Sequence, residues 1–427
     1  MRSTCIINVD LSVGADFGTV NALKANAGIS SRGVIPHGAG FIIDELKAAE
    51  LGLGSIEGLY AIIRLYRNGR DLTASSRGFY AIDLFGLTDK EVLTKYPSIY
   101  QHLLETVKPE RDENRDPARR KNWWLFARSN EQLRNATKSL TRYIATVQTS
   151  KHCLFYLLEG SILPDDKLIA IGLDDAYFLG VLSSKIHVVW ALATGGRLED
   201  RPVYDKTRCF DPFPFPDATP AQQARIRELA ETIDTHRKRQ QAQHPGLTLT
   251  TLYNVVEQLR ADQPLTVKEQ ATNQQGLASV LLSLHHDLDT AVADAYGWPN
   301  TLPDAELLAR LVQLNHARTA EEKAGTVRYL RPAYQAPGQQ QAALNLPTTG
   351  PAAVAATDTA AQPWPAELAQ QMQAVRAMVT QAAAPVTAAQ VAARFRSTRA
   401  AQVQPLLATL TALSLLRYLE PEDAYAA

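Results

Sequence analysis

The sequence predicts an α+β protein, in which a mixed α/β domain is followed by a helical region and a small C-terminal domain. Short β-type runs bounded by turn residues recur through the first 216 residues. Beyond Pro216, apolar residues recur at helical spacing instead. The stretch from Gly180 to Pro216 separates the two parts, because it passes from an apolar run into a glycine turn and ends in three closely spaced prolines.

Length and composition indicate a globular protein of two or three domains. The chain has 427 residues, of which 45% are hydrophobic and 21% are charged. Apolar runs such as 186–193 are too short to cross a bilayer, and the first residues lack the order of a secretion signal. We therefore expect a cytoplasmic protein with no membrane partner. The three cysteines lack the paired spacing of zinc or redox sites: Cys5, Cys153 and Cys209.

The charge is balanced overall but not along the chain. Forty-four basic side chains face 44 acidic ones, which at first argues against a nucleic-acid partner. Between Arg64 and Lys151, however, 17 Lys and Arg stand against 10 Asp and Glu, a local excess of seven positive charges. A neutral protein with one basic half can still hold a phosphate backbone on that half.

Strands and turns dominate the first half of the chain. The opening, through about Leu53, suggests short strands and turns without a long helix. Residues 62–66 and 78–85 read as two strands of a hairpin, with Asn68-Gly69 as a tight turn. Further buried strands are predicted at 143–148 and 168–173. The hairpin carries four arginines at or near its tip: Arg64, Arg67, Arg70 and Arg77.

A predicted helix, 88–107, is followed by a very polar segment, 108–124. Its arginines lie next to Trp123 and Trp124, a combination that suits phosphate contact and stacking on bases. The alternative is that the two tryptophans belong to the core and that the charges are a solvated loop.

The second half divides into three parts. Residues 217–332 form the helical region, with predicted helices at 221–243, 255–259, 277–296 and 305–315. Residues 333–363 hold one charged side chain among Pro, Ala, Gln, Thr and Gly, which indicates a flexible linker. Residues 364–427 suggest three helices, near 366–382, 388–395 and 398–416, and a short strand, 417–419. This order is typical of a winged helix-turn-helix, and a three-helix oligomerisation module is the alternative.

Three patterns with catalytic potential do not reach a site, so we predict neither catalytic residues nor metal ligands. His285-His286-Asp287 lie at neighbouring helical positions that point apart. Asp304 and the acidic pair Glu321-Glu322 loosely fit a nuclease pattern, but they fall in helices where a strand hairpin would be needed. Asp211-Pro212-Phe213 lacks the second proline of the adenine-binding loop of amino methyltransferases.

Seven further segments belong together: 63–72, 107–111, 122–124, 142–146, 182–190, 208–216 and 295–298. These segments resemble the target-recognition part of MmeI-like class I DNA methyltransferases, the fused restriction-modification enzymes and their phage-defence relatives. The similarity extends over most of residues 10–334.

The resemblance implies a target-recognition domain over 1–216 that reads double-stranded DNA. Such enzymes also have a core that binds S-adenosylmethionine and methylates adenine at its exocyclic amine. The glycine-rich cofactor loop and the Pro-Pro loop of that core have no counterpart here. We therefore expect no cofactor on this chain, a separate methyltransferase partner that carries S-adenosylmethionine, and no activity of the chain alone. A subunit of a split methyltransferase and the product of an interrupted gene remain alternatives.

Candidate DNA contacts follow from the basic residues and the resemblance together. Phosphate contacts are expected from six side chains: Arg111, Arg115, Arg119, Arg120, Lys121 and Lys151. Base edges are expected to be read by four: Asn68, Arg70, Arg77 and Lys185. The remaining candidates are Arg64, Trp123, Trp124, His187, Lys206 and Arg208. For His187, a place in the core is an equally good interpretation.

Overall fold

The computed structural model confirms the α+β class. The chain divides into two compact units, Met1–Asn345 and Leu346–Ala427. The structure describes residues 16–337, 362–365, 368–381, 385–392, 395–396, 399–412, 416–419 and 424–426.

Two four-stranded sheets form the β part of the first unit, with strand orders β1-β8-β5-β6 and β2-β4-β3-β7. A separate two-stranded hairpin, β9–β10, follows them. The ten strands are β1 (Ser30–Arg32), β2 (Ile42–Ile43), β3 (Ile63–Arg67), β4 (Tyr80–Ile82), β5 (Arg142–Val147), β6 (Phe155–Glu159), β7 (Leu163–Pro164), β8 (Leu168–Ile171), β9 (Gly196–Leu198) and β10 (Arg201–Val203).

The first sheet is antiparallel throughout, and its central strands are buried on both faces. β5 pairs with β6 on one side and with β8 on the other, which confirms the strands predicted at 143–148 and 168–173. The carbonyl oxygens of β6 accept hydrogen bonds from Arg237 Nη2 at 2.8 Å and from Lys238 Nζ at 3.1 Å. These side chains satisfy carbonyl groups that an edge strand would otherwise leave unpaired.

Fifteen α-helices are assigned in residues 16–337, and six of them follow the last strand. The first nine are α1 (Glu45–Glu50), α2 (Gly69–Thr73), α3 (Asp89–Lys95), α4 (Pro97–Thr106), α5 (Lys108–Asp112), α6 (Pro117–Lys121), α7 (Glu131–Thr137), α8 (Ala176–Ser183) and α9 (Lys185–Thr194). The last six are α10 (Pro220–Gln243), α11 (Leu249–Arg260), α12 (Val267–Gly276), α13 (Ala278–Tyr296), α14 (Asp304–Lys323) and α15 (Pro332–Gln335).

The β3–β4 pairing confirms the predicted hairpin, but the tight turn at Asn68-Gly69 was wrong. Asn68 instead caps α2, because its Oδ1 accepts from the backbone N–H groups of Arg70 at 3.0 Å and Asp71 at 3.3 Å. The carboxylate of Asp71 accepts from the N–H of Asn68 in return. This reciprocal capping box competes successfully with a two-residue turn.

Two helix predictions also need correction. The single helix expected over 88–107 is two helices, α3 and α4, because Pro97 starts a new helix after Tyr96 leaves helical geometry. α12 was not predicted at all, since its polar sequence lacks a clear apolar face. The polar segment 108–124 contains the short helices α5 and α6.

The helical region and the sheets share one continuous core that extends past Pro216. The most extensive contact between two helices joins α8 to α10, and Gly180 lies at this contact. A Cβ atom on Gly180 would lie only 2.5 Å from Cγ2 of Ile226. The glycine is therefore needed for the two backbones to approach this closely.

The second unit has its own small core, which includes Val375, Val391 and Leu407. Its elements are β11 (Gln362–Pro363), α16 (Leu368–Gln381), α17 (Ala388–Ala392), β12 (Phe395–Arg396), α18 (Ala400–Ala412), β13 (Arg417–Leu419) and β14 (Ala424–Ala426). β13 and β14 form an antiparallel hairpin, and Val386 bridges to Tyr425. The three predicted helices and the strand at 417–419 are present. Most of the predicted linker, 338–361, lies outside the described residues.

Across the residues described, no single helix is long and apolar enough to span a membrane. Taken together, α8 and α9 are long and apolar enough to span a membrane by length and composition only, and the two helices meet at a bend of 62°.

We expect Gly180→Ala to lower the free energy of unfolding by about 1–3 kcal/mol, because the added methyl group overpacks the α8–α10 contact. Gly246→Ala is the matched control, since a Cβ there meets no atom within 4 Å and should change stability by less than about 0.5 kcal/mol. Urea denaturation of both variants measures the difference. Equal stability of the two would show that the contact adapts without cost.

Candidate nucleic-acid interface

A basic groove with a volume of about 970 Å³ lies between the sheets and the β9–β10 hairpin. Its walls come from the ends of β1 and β5, the start of α2, the β7–β8 connection, the hairpin and the start of α11. Six cations and one acidic residue line it: Arg32, Arg70, Lys151, Lys167, Arg197, Arg201 and Asp200. The fold therefore collects positive charge from segments that lie far apart in the sequence.

Four of these cations form no ion pair with any residue that the structure describes: Arg70, Lys151, Lys167 and Arg197. All four are exposed. Arg32 differs, because its guanidinium contacts the carboxylate of Asp166 at 3.0 Å and donates to Oε1 of Gln148 at 2.9 Å. Arg201 lies 4.0 Å from Asp200. A concave surface with unpaired cations attracts polyanions.

The β9–β10 hairpin forms one wall and is fixed at its base. It leaves α9 at Gly195, turns at Glu199-Asp200 and returns to Tyr204. The N–H of Tyr204 donates to the carbonyl of Gln148 at 2.7 Å, and Thr149 bridges to Val203. The hairpin is therefore attached to the end of β5, and the polar side chain of Gln148 lines the groove beside it.

The residue after the hairpin, Tyr204, is buried in an aromatic cluster. Its hydroxyl shares a 3.0 Å hydrogen bond with Nε2 of His187, and the His187 ring lies 4.3 Å from the ring of Phe213. Trp190 contacts Phe213 and donates from Nε1 to the carbonyl of Cys209 at 3.1 Å. Burial in this cluster lowers the pKa of His187 to about 3, so the ring is neutral at physiological pH.

Among the sequence-predicted contacts, Arg70 and Lys151 line the groove, and Asn68 caps the helix that presents Arg70. The side chains of four other candidates are bound to other residues of this chain. Arg64 donates to the carbonyls of Gly160 and Ser161, and Arg77 binds both carboxylate oxygens of Asp71 at 3.0 Å. The last two form ion pairs: Lys185 with Asp304 at 3.0 Å and Lys206 with Asp211 at 3.4 Å.

Three candidates are buried and do not face solvent. The guanidinium of Arg111 donates to the carbonyls of Pro36 and Leu125, both at 3.0 Å, and burial lowers its pKa. Trp123 packs in the core beside Tyr100. His187 belongs to the aromatic cluster. Trp124 is half-buried, and its Nε1 donates to the carbonyl of Leu87 at 2.9 Å.

The remaining candidates lie on the surface outside the groove. Arg115, Arg120, Lys121 and Arg208 are exposed, and Arg119 is half-buried, 3.5 Å from Asp116. Arg120 also donates to the carbonyl of Asn114 at 2.6 Å.

Sequence reasoning missed five groove residues: Arg32, Gln148, Lys167, Arg197 and Arg201. For the two hairpin arginines a signal was available. Gly195-Gly196 and Glu199-Asp200 are turn residues on either side of Arg197-Leu198, and Arg201 follows. Arg32 and Lys167 gave no signal, because only the β1–β8 pairing brings them together.

The described residues contain no group of three or more His, Cys, Asp or Glu placed to hold a metal ion. In the loop that imitates a methyltransferase motif, Asp211 has structural partners. Its Oδ1 accepts from Ser30 at 3.0 Å, and its carbonyl accepts from the N–H of Leu23 at 2.9 Å. The loop holds the N-terminal segment against the core.

Comparison with known proteins matches part of this chain to a described domain, which includes some of the residues that line the groove. Residues 82–217 match the family model described as "MmeI, target recognition domain". "DNA methyltransferase A" of Bacillus subtilis (strain 168) is 28% identical over 189 residues, which are 43% of this chain and 19% of that protein. The chain therefore spans about a fifth of the length of this relative.

One solved structure has a fold similar to that of this chain. Its title is "Structure of Type IIL restriction-modification enzyme MmeI in complex with DNA has implications for engineering of new specificities". The match has a TM-score of 0.55 at 19% identity and covers 74% of this chain and 39% of that chain.

The neutral His187 predicts a pH-dependent stability. Unfolding exposes the ring, whose ordinary pKa is about 6.5, so the unfolded state gains a proton below that pH while the native ring stays neutral down to about pH 3. Between pH 7 and pH 5 this should remove about 2 kcal/mol from the free energy of unfolding. His187→Phe should lose that part of the pH dependence, measured by urea denaturation at both pH values.

His285 also contributes to the pH dependence of stability, because burial lowers its pKa to about 3. It is present in both the His187→Phe variant and the unmodified chain. Its contribution cancels when the variant is compared with the unmodified chain. An identical fall in stability for both proteins would mean that the native state admits a charged His187.

Proposed function

We propose that this chain is the sequence-specific, double-stranded DNA recognition module of an adenine-specific DNA methyltransferase, on the premise that residues 82–217 form an MmeI-like target recognition domain. The observation that carries the proposal is the basic groove, with its four unpaired cations. Phosphate neutralisation by such cations supplies most of the sequence-independent part of DNA affinity. The proposed setting is the cytoplasm, in restriction-modification or phage defence.

In this proposal, Lys151 and Lys167 bind phosphates at the rim of the groove. Their flexible ammonium groups suit point contacts to the backbone, whereas guanidinium groups can pair bidentately with guanine. Arg70, Arg197 and Arg201 are the proposed base readers. A two-stranded ribbon such as β9–β10 fits the major groove, where each base pair presents a distinct pattern of donors and acceptors.

The exposed cations of the polar segment extend the proposed interface. Arg115, Arg120 and Lys121 have no ion pair within the described residues. Arg128, which follows this segment, lies 3.5 Å from Asp166, the residue that also holds Arg32 at the groove. We therefore propose the polar segment as a second phosphate-binding surface. The buried Arg111, Trp123 and His187 are not part of the proposed DNA interface.

The methyltransferase core is proposed to be a separate partner that holds S-adenosylmethionine. What supports a methyltransferase setting is the 28% identity to "DNA methyltransferase A" over 189 residues. A split methyltransferase, in which this chain is the specificity subunit, is the second candidate function on the same observation. Both candidates need a separate core for methyl transfer, and in the second the core and this chain are subunits of one enzyme.

The second unit is a proposed winged helix. Its helices α16, α17 and α18 precede the β13–β14 hairpin, which would be the wing. α18 carries no charged residue, so its surface offers no cation to a phosphate backbone. A protein contact suits this unit better than a DNA contact.

Loss of either rim lysine should weaken binding to all duplexes alike. We expect Lys151→Ala and Lys167→Ala each to reduce the slope of log affinity against log salt by about 0.9, the value for one phosphate contact. A random-sequence duplex, titrated at several salt concentrations and followed by fluorescence anisotropy, measures this. Arg225→Ala is the matched control, because Arg225 is an exposed cation on α10 outside the groove.

An unchanged slope in both lysine variants would remove the groove from the interface. Arg120→Ala tests the polar segment in the same assay: a reduced slope supports it, and an unchanged slope confines phosphate binding to the groove.

The chain alone should transfer no methyl group. We expect no incorporation of label from S-adenosylmethionine into DNA by the purified chain, and incorporation after a core subunit encoded by a neighbouring gene is added. Incorporation without any partner would contradict the proposed division of labour. Binding of DNA without incorporation under either condition would refute the proposed partnership with that core subunit and leave DNA recognition alone.

A further inference from the structure

An exposed leucine stands among the charges of the basic groove. Leu198, the last residue of β9, has 60% of its surface exposed, although most of the residues that line the groove are charged or polar. Its side chain has no place in the core and is not needed to hold the hairpin, whose base is fixed by Tyr204 and Thr149. Leu198 is therefore available to a ligand of the groove.

The register of the hairpin decides what stands beside Leu198. Leu198 pairs with Arg201, and Gly196 pairs with Val203. Residues directly opposite each other in an antiparallel pair project to the same face, and so do residues two apart on one strand. Leu198, Arg201 and Val203 therefore share one face of the hairpin, and all three line the groove.

The turn that follows fixes this arrangement at the tip. Glu199 has a φ of 57°, a left-handed conformation that non-glycine residues seldom adopt. The tip thus carries two carboxylates, Glu199 and Asp200, beyond the leucine. Phosphates on both sides of the narrow minor groove would repel them, whereas the major groove is about 12 Å wide and offers base amino groups that donate hydrogen bonds to a carboxylate.

Within the major groove, the apolar group that distinguishes one base is the C5-methyl of thymine. We propose that Leu198 packs against a thymine methyl group in the target site and so makes the chain sensitive to methylation at pyrimidine C5. Arg201, on the same face, reaches the edge of a neighbouring base pair. This inference rests on the proposed DNA-recognition function and adds a base contact to it.

The test replaces thymine with uracil, which pairs identically and lacks only the methyl group. A duplex enriched from a random pool by the full-length chain is resynthesised with uracil at each thymine in turn. We expect one replacement to weaken binding about fourfold, the effect of one buried methyl group. Leu198→Ala should bind the thymine and uracil duplexes equally.

Leu46→Ala is the matched control, since Leu46 is a leucine on α1 with 77% of its surface exposed and lies outside the groove. It should keep the full preference for thymine. Leu198→Met should keep most of it, because methionine retains an apolar side chain of similar size.

The possible outcomes distinguish a failure of the thymine contact from a failure of DNA recognition. If no duplex is enriched and binding does not depend on salt, DNA recognition itself fails. If the chain binds DNA but ignores uracil, or if Leu198→Ala keeps the preference, the methyl contact is refuted while DNA recognition stands. Equal loss of affinity for both duplexes in Leu198→Ala would also refute it, because the leucine would then act without reading the methyl group.

Discussion

The buried contact between His187 and Tyr204 positions the proposed DNA-binding groove. Tyr204 ends the β9–β10 hairpin, and its hydroxyl lies 3.0 Å from a histidine whose pKa is lowered to about 3 by burial. Because the ring is neutral, it can lie against Phe213 without an unpaired charge in the core. The hairpin therefore projects from a buried aromatic cluster, and its second strand is attached to the end of β5 through the Thr149–Val203 bridge and the Tyr204–Gln148 hydrogen bond.

Arginines in this fold serve two purposes, and the structure separates them by their partners. Arg77 and Arg111 stabilise the recognition domain from within, through a carboxylate and through backbone carbonyls respectively. Arg70 and Arg197 form no ion pair with the described residues and stand exposed at the groove. A chain of zero formal charge can thus present a basic surface, because its acidic residues are concentrated elsewhere or already paired.

Local patterns predicted the elements well but could not predict the groove. The β3–β4 hairpin, α10 and the helices of the second unit follow from periodicity in short windows. The groove depends on strand pairing across long distances, such as Ser31 with Ala170, which local sequence does not encode. Burial was equally hidden, since Arg111 lies in a segment of charged residues that looks wholly solvated. The capping of α2 by Asn68 shows that a turn signal and a cap signal can share the same residues.

Photocrosslinking from the groove is the most direct test of DNA binding at the β9–β10 hairpin. p-Benzoylphenylalanine would replace Leu198 in one protein and Leu46, a more exposed leucine on α1, in another. On illumination with duplex DNA, we expect a crosslink from position 198 that disappears at high salt, and none from position 46. Crosslinking from position 46 alone, or equally from both positions, would contradict a DNA-binding groove at the β9–β10 hairpin.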